Sequence, residues 1–356
     1  MKTAYITDTH LGCRGSSVFR KYFRHFWKNI FIPDLVANGI KEFIHGGDFF
    51  DNRTQMHLED LTWVLNEFVP LLKQNGIHMH IIAGNHDVCY RNTNDINSLI
   101  FPSDVATVYH DKPREITIGF QKYLMIPWMN IENQQAIEQA LAECSDRANT
   151  IVVGHFEISG ALMYPGSRCE HGLEPAMFKG FQEVISGHFH QQSMIGNIRY
   201  LGSAFELTWQ DYNQWRGWYH YDTQTRQIKL VDNQYSLFHE LTYDYDQNKL
   251  ELETPVCEDR FVRLIIEKEY NKVQLLEIQN LIKKQQPVSL QVIDKTIINT
   301  QVVTPQDDSG DEDDVKIITT IDMVKSVMKS LNCAPGLIDS MVDVFNEAEA
   351  QMAKGE

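Results

Sequence analysis

The sequence predicts an α/β fold, on three observations. Apolar strand-like runs alternate with helix-like segments through about residue 231. Five of the apolar runs end in Asp, His or Asn, and the carboxyl ends of strands are where open α/β sheets carry their ligands. The 356 residues, 43% hydrophobic and 22% charged, supply enough apolar material for a sizeable core and more than one domain.

The elements follow in order. "AYITDTH" is a strand that runs out into Asp8 and His10. Residues 13–28, "CRGSSVFRKYFRHFWK", carry Arg14, Arg20, Lys21, Arg24 and Lys28 without an acid, interleaved with Phe19, Tyr22, Phe23, Phe26 and Trp27. Two readings stand for this stretch: a solvated helix with an aromatic core face, or a surface whose Arg14, Arg20, Lys21 and Arg24 contact phosphates. "EFIHGGDFFD" is a second strand, ending in Asp48 and Asp51. Leu58, Leu61, Val64, Leu65, Phe68, Leu71 and Leu72 then recur at helical spacing up to "QNGI" at 74–77. This stripe predicts a helix packed on the sheet, with a homodimer contact as the alternative.

Three more strands finish the pattern. "IIAGNHD" delivers Asn85, His86 and Asp87; "TIVVGHFE" delivers His155; "EVISGHFH" delivers His188 and His190. A single such ending is explained by turn geometry, since Gly and Asn tolerate positive φ. Five are not. His171 lies far from these motifs in sequence, and Trp209, Trp215 and Trp218 read as packing residues.

The chain divides into four expected parts. Residues 1–237 hold the motifs, and 238–303 read as a smaller β-α-β cap built from "RFVRLIIE", "NKVQLLEIQNLIKK" and "VSLQVID". Residues 304–316 are an acidic linker, with six acids between 304 and 314. Residues 317–356 read as two amphipathic helices, the second carrying Ile338, Met341 and Phe345 on one face. So short a pair has little core of its own and should dock on a partner or on the rest of the chain.

Composition narrows the function classes. No run of eighteen apolar residues occurs and Asp8 comes too early for a signal peptide, so a cytoplasmic protein without membrane insertion is expected. Six cysteines form no C-x-x-C pair, which argues against a zinc knuckle or a disulfide framework. The net charge of −16 opposes nucleic-acid binding at first sight. Residues 1–231, however, hold 20 Lys/Arg against 24 Asp/Glu, and two bound divalent cations would neutralise that excess.

Imidazoles and carboxylates without thiolates suit first-row divalent ions such as manganese, iron or zinc better than calcium. D-x-H at 8–10, GDxxD at 47–51, GNHD at 84–87, GH at 154–155 and GHxH at 187–190 together resemble the calcineurin-like metallophosphoesterases. With the cap and the acidic helical tail, they look most like the nuclease subunits of SbcD-type repair complexes in their phage recombination-endonuclease form.

That resemblance implies a four-layer α/β/β/α sandwich and an exonuclease and endonuclease acting on DNA with two metal ions, manganese foremost. It implies that Asp48 bridges the ions, that Asp8, His10 and His190 complete one, and that Asn85, His155 and His188 complete the other. A bridging water is the implied nucleophile and His86 the general acid, with Asp51 holding its other ring nitrogen. Asp87 reads as a loop hydrogen-bonder. The implied partners are DNA, an SMC-like ABC ATPase that accepts the tail, and a second copy of the chain.

The alternative is a phosphomonoesterase or protein phosphatase on the same chemistry. Protein phosphatases of this superfamily carry Arg directly after GDxxD, whereas here Asn52 stands there and Arg53 comes one later. A non-catalytic scaffold is a third class, which needs none of these side chains.

Overall fold

A computed structural model describes residues 1–164, 166–243, 257–267 and 270–295. The expected linker, the tail helices with Ile338, Met341 and Phe345, and Cys333 lie outside the described residues. In chain order the strands are β1 (Lys2–Ile6), β2 (Glu42–His45), β3 (His78–Ile82), β4 (Ala106–Tyr109), β5 (Arg114–Ile118), β6 (Gln121–Met125) and β7 (Thr150–His155). They continue with β8 (Leu162–Tyr164), β9 (Ser167–Arg168), β10 (Glu183–Gly187), β11 (Ser193–Ile195), β12 (Ile198–Tyr200), β13 (Gly217–Asp222) and β14 (Ile228–Asp232). The last three are β15 (Phe238–Tyr243), β16 (Phe261–Ile266) and β17 (Ser289–Asp294).

Two mixed six-stranded sheets form, in the orders β14-β13-β1-β2-β3-β4 and β11-β12-β10-β7-β6-β5. Strand alternation stacks them. In β1, Ala4 and Ile6 point into an outer core while Tyr5 points between the sheets. There Tyr5 meets Ile44 and Ile82 of its own sheet and Tyr123, Val153 and Ile185 of the other.

Helices cover both outer faces. On the first sheet lie the helical run 17–37, which Ser16 caps by accepting from the Val18 N–H, and the run 58–75, which ends where Gly76 takes φ 58°. On the second lie Gln134–Glu143, through Ile137 and Leu141, and the short turn Pro175–Phe178. The four-layer α/β/β/α sandwich expected from the resemblance is therefore the fold observed.

The aromatic face of 17–37 is core: Phe19, Tyr22, Phe23, Phe26, Trp27 and Phe31 are all buried. In the run 58–75, Val64, Phe68 and Leu72 are buried, but Leu58 and Leu65 face outward at 79% and 43% exposure. The stripe read from the sequence is thus split between core and surface.

The cap is a parallel sheet, β15-β16-β17, with the helix Lys272–Lys284 between its second and third strands. Its core gathers Tyr243, Val262, Leu264, Ile266, Leu275 and Ile282. The β-α-β reading recovered all of this except β15. Cap and sandwich meet through rings, with Phe19 5.8 Å from Phe261 and 6.4 Å from Phe238. Among the described residues, no helix is long and apolar enough to cross a membrane.

Candidate metal centre

The central strands of the two sheets point their carboxyl ends at one another. Asp8 and His10 follow β1, Asp48 follows β2, Asn85 and His86 follow β3, His155 closes β7 and His188 and His190 follow β10. Pairing continues past the strands: the His10 N–H donates to the Asp48 carbonyl at 3.1 Å and the Asp8 N–H to that of Gly47 at 3.1 Å. Close approach of the loops depends on Gly84, where an added Cβ would lie 2.2 Å from the Asp48 carboxylate. Four of these residues sit in the left-handed region despite carrying side chains: Asp8 at φ 51°, His10 at 45°, Asp48 at 55° and His188 at 88°. Such conformations cost free energy and concentrate at functional sites.

The loops are clamped by Asp87, a fully buried carboxylate. It accepts from the N–H groups of Asp48 at 2.7 Å, Phe49 and Phe50 at 3.1 Å and Gly84 at 2.9 Å. The sequence reading of Asp87 as a loop hydrogen-bonder matches this geometry.

Ligand atoms converge in overlapping groups. Those of Asp8, His10 and His190, of His10, Asp48 and His86, and of Asp8, Asp48 and His155 lie within 4.8 Å of one another in each group. The hydrogen bonds made by the outer ring nitrogens decide what the inner ones present. His155 Nδ1 donates to the Gly46 carbonyl at 2.8 Å, so Nε2 is left as a lone pair 3.2 Å from the Asp48 carboxylate. His10 Nδ1 donates to the Asp51 carboxylate at 3.1 Å, leaving Nε2 3.1 Å from Nε2 of His190. His188 Nε2 donates to Glu157 at 3.1 Å, leaving Nδ1 3.0 Å from the end of the Asn85 amide, which also lies 3.0 Å from His155 Nε2.

Lone pairs facing one another at this distance repel unless a proton or a cation lies between them. With a cation present the Asn85 oxygen turns inward. Without one, its NH2 group would donate to both imidazoles and its oxygen would accept from Arg53 Nη2 at 2.9 Å. The donor set therefore fits divalent metal, with Asp8 and Asp48 each shared between overlapping groups. Burial disfavours a charged His155, yet in the metal-free chain Asp48 and Asp8 outweigh burial and hold a proton on it, pushing its pKa up to about 9; a divalent ion taking that place would displace the proton and use the Nε2 lone pair. His10 is likewise raised against burial, by Asp51 and Asp48.

Three expectations need correction. The Asp51 carboxylate holds His10 and not His86; Nδ1 of His86 donates instead to the Asp51 main-chain carbonyl at 2.5 Å. Arg20 does not face phosphates. It is buried, with Nε 2.8 Å from Asp60, while Arg24 bonds Glu59 at 3.2 Å and the exposed Lys21 pairs with Asp259 of the cap. Residues 13–28 contain no acid, and the fold brings these three from elsewhere in the chain. Only Arg14, exposed over the Phe19 ring at 5.6 Å, keeps the character expected of a phosphate contact. Finally, Arg53 reaches the Asn85 amide although it is offset by one from the phosphatase position, so that offset does not separate nuclease from phosphatase.

Some neighbours of the site were not legible as such. Glu157 and His171 line a cleft of about 390 Å³ together with His188, His190, Tyr164 and Asp211. The buried Arg216 joins Asp211 at 2.7 Å and donates to the His190 carbonyl, which ties the turn at 208–211 to this histidine. Trp218 is buried and Trp209 packs against Phe238, as expected, whereas Trp215 is 67% exposed.

Comparison with known proteins agrees with this geometry. The calcineurin-like phosphoesterase family pattern matches residues 1–192. Exonuclease subunit 1 of Enterobacteria phage T4 is 30% identical over 346 residues, covering 96% of this chain and 95% of the phage protein. The SbcD component of the SbcCD nuclease of Staphylococcus epidermidis is 24% identical, over 64% of this chain and 67% of that protein. Its counterpart in Escherichia coli K12 is 24% identical as well, over 59% and 62%.

Proposed function

The chain belongs to the calcineurin-like phosphoesterase family, and from that premise we propose that it is the nuclease subunit of a DNA recombination or repair complex, hydrolysing phosphodiesters with two divalent ions, manganese foremost. The observation that carries the reading is the convergence of Asp8, His10, Asp48, His155 and His190 in overlapping groups of ligand atoms, with the Asn85 amide 3.0 Å from both His155 and His188. Its specificity for DNA rests on relatives whose names are exonuclease subunit and SbcCD nuclease subunit.

Asp8, His10 and His190 hold one ion, Asn85, His155 and His188 the other, and Asp48 faces both. When bound, the ions supply Lewis acidity towards the diester oxygens and a water of lowered pKa as nucleophile. Two carboxylates against four positive charges leave the centre cationic, and the neutral Asn85 preserves that excess for an anionic substrate. His86 is the general acid in its doubly protonated form: Nδ1–H is held by the Asp51 carbonyl, and Nε2–H is free to deliver its proton to the departing sugar oxygen. The His86 main-chain N–H donates to the Asp48 carboxylate at 2.7 Å, so acid and bridging ligand are held as one unit.

An SMC-like ABC ATPase is the proposed partner, with residues 317–356 as its docking segment through Ile338, Met341 and Phe345 and the acidic stretch 304–316 as its tether. The exposed Leu58 and Leu65 are candidates for a contact between two copies. A second reading, phosphomonoester hydrolysis, draws on Arg53, whose guanidinium beside Asn85 suits a dianionic phosphate.

Digestion of end-labelled duplex and hairpin DNA with manganese, beside p-nitrophenyl phosphate, separates these. DNA cleavage that is lost in His86→Ala is the expected result. Turnover of the monoester with intact DNA would transfer the assignment to the phosphatase.

A further inference from the structure

We infer that Glu157 is a positioning residue for His188, turning its ring so that Nδ1 faces the cation seat shared with Asn85 and His155. The inference rests on the reading of His188 as a metal ligand.

The main chain of His188 is pinned without Glu157. Its N–H donates to the Asp8 carboxylate at 3.1 Å, and its φ of 88° is set by the tight turn after β10. What the backbone leaves open is the rotation and the tautomer of the ring. Trp128 at 5.5 Å and Phe189 at 4.8 Å flank the imidazole, but neither ring distinguishes one nitrogen from the other. Glu157 does. Its carboxylate accepts from Nε2 at 3.1 Å, which places the hydrogen there and keeps the Nδ1 lone pair for the inner side.

The main chain of Glu157 is held in place, and its side chain, 40% exposed, leans on His188. The residue stands two residues beyond His155, and its carbonyl accepts from the Leu173 N–H at 2.8 Å. Because His155 and Gly187 are paired in register between β7 and β10, one short segment supplies a ligand and the brace for a ligand on the neighbouring strand. The other half of the centre repeats the device, with Asp51 bracing His10. Each half thus has one imidazole braced by a carboxylate, whereas His155 relies on a neutral carbonyl. An acceptor on Nε2 fixes the ring and its tautomer, so Glu157 governs how tightly the Asn85–His155–His188 seat holds its ion.

The test is manganese binding to the full chain, read by the loss of the free-ion EPR signal and by calorimetry. Wild type is expected to take up two ions. Glu157→Ala should weaken one of them by roughly 10- to 100-fold and leave the other unchanged. Glu157→Gln, whose amide oxygen still accepts from Nε2, should bind close to wild type, and its rescue marks the hydrogen bond as the cause. His188→Ala must lose the same ion. If Glu157→Ala binds both ions with wild-type affinity while His188→Ala loses one, Glu157 is not a positioning residue. If His188→Ala also binds both, the ligand reading fails and takes the inference with it. Should the Ala variant fail to fold, Glu157→Leu decides, since it removes the acceptor and keeps most of the volume: wild-type affinity for both ions there overturns the inference.

Discussion

Asp51 meets two imidazoles with two different groups: its carboxylate takes Nδ1 of His10 at 3.1 Å and its main-chain carbonyl takes Nδ1 of His86 at 2.5 Å. Side-chain substitution therefore acts on one and spares the other. Asp51→Ala is expected to weaken manganese binding by roughly 10- to 100-fold through His10, as loss of a ligand's hydrogen-bond partner usually does. Calorimetric titration checks this; unchanged metal affinity would return Asp51 to the role of His86 partner.

His86→Ala should keep both ions and lose roughly 10²- to 10⁴-fold in DNA cleavage rate, the usual worth of general acid catalysis. Single-turnover rates at saturating manganese, together with a metal count, check it. A metal count that falls along with the rate would make His86 a ligand of the group it shares with His10 and Asp48.

Asp48→Ala is expected to abolish cleavage with every divalent metal tried. The carboxylate stands among the donors of both halves; Asp87 holds the Asp48 main chain by accepting from its N–H, and the His86 N–H donates to the Asp48 carboxylate. Retention of near-normal turnover with any one metal would contradict its shared position.

Arg20 and Arg14 should separate stability from binding. Arg20→Ala leaves Asp60 buried without its guanidinium and should cost about 3–5 kcal/mol of stability in denaturant unfolding. Lys21→Ala, at a solvated pair with Asp259, should change stability by less than about 1 kcal/mol. Arg14→Ala should flatten the log–log salt dependence of duplex binding by about 0.9, the share of one phosphate contact. An unchanged slope would remove Arg14 from the DNA surface.

His45 sets a pH dependence of folding. It is fully buried, with Nε2 3.0 Å from the Thr9 hydroxyl, and burial pushes its pKa down to about 3. An unfolded imidazole takes its proton below about 6.5. Between those values the unfolded chain binds the extra proton, so this contribution is complete above about pH 6.5 and is lost as pH falls toward 3. Its full extent is of the order of 4–5 kcal/mol. Guanidinium unfolding of metal-free protein between pH 7 and 4 should show a shallower decline for His45→Gln than for wild type. Identical declines would exclude His45 as the source.

The sequence by itself determined the α/β class, the strand ends that carry the chemistry and most of the cap. Those signals are local: an apolar run of strand length is read within a few residues, and each donor stands within four residues of the strand that aims it. The aromatic face of 17–37 was legible for the same reason, since helical spacing is a short-range pattern. Only the tertiary structure decided which partner each side chain took. Asp60 lies 40 residues from Arg20, Asp51 lies 41 from His10 and Glu157 lies 31 from His188. Such partners are chosen by the stacking of the sheets and the close turns at Gly84 and Asp48. A hydrogen bond depends on distances of a few tenths of an ångström, and the identity of a residue carries no record of where the rest of the chain will bring its neighbour.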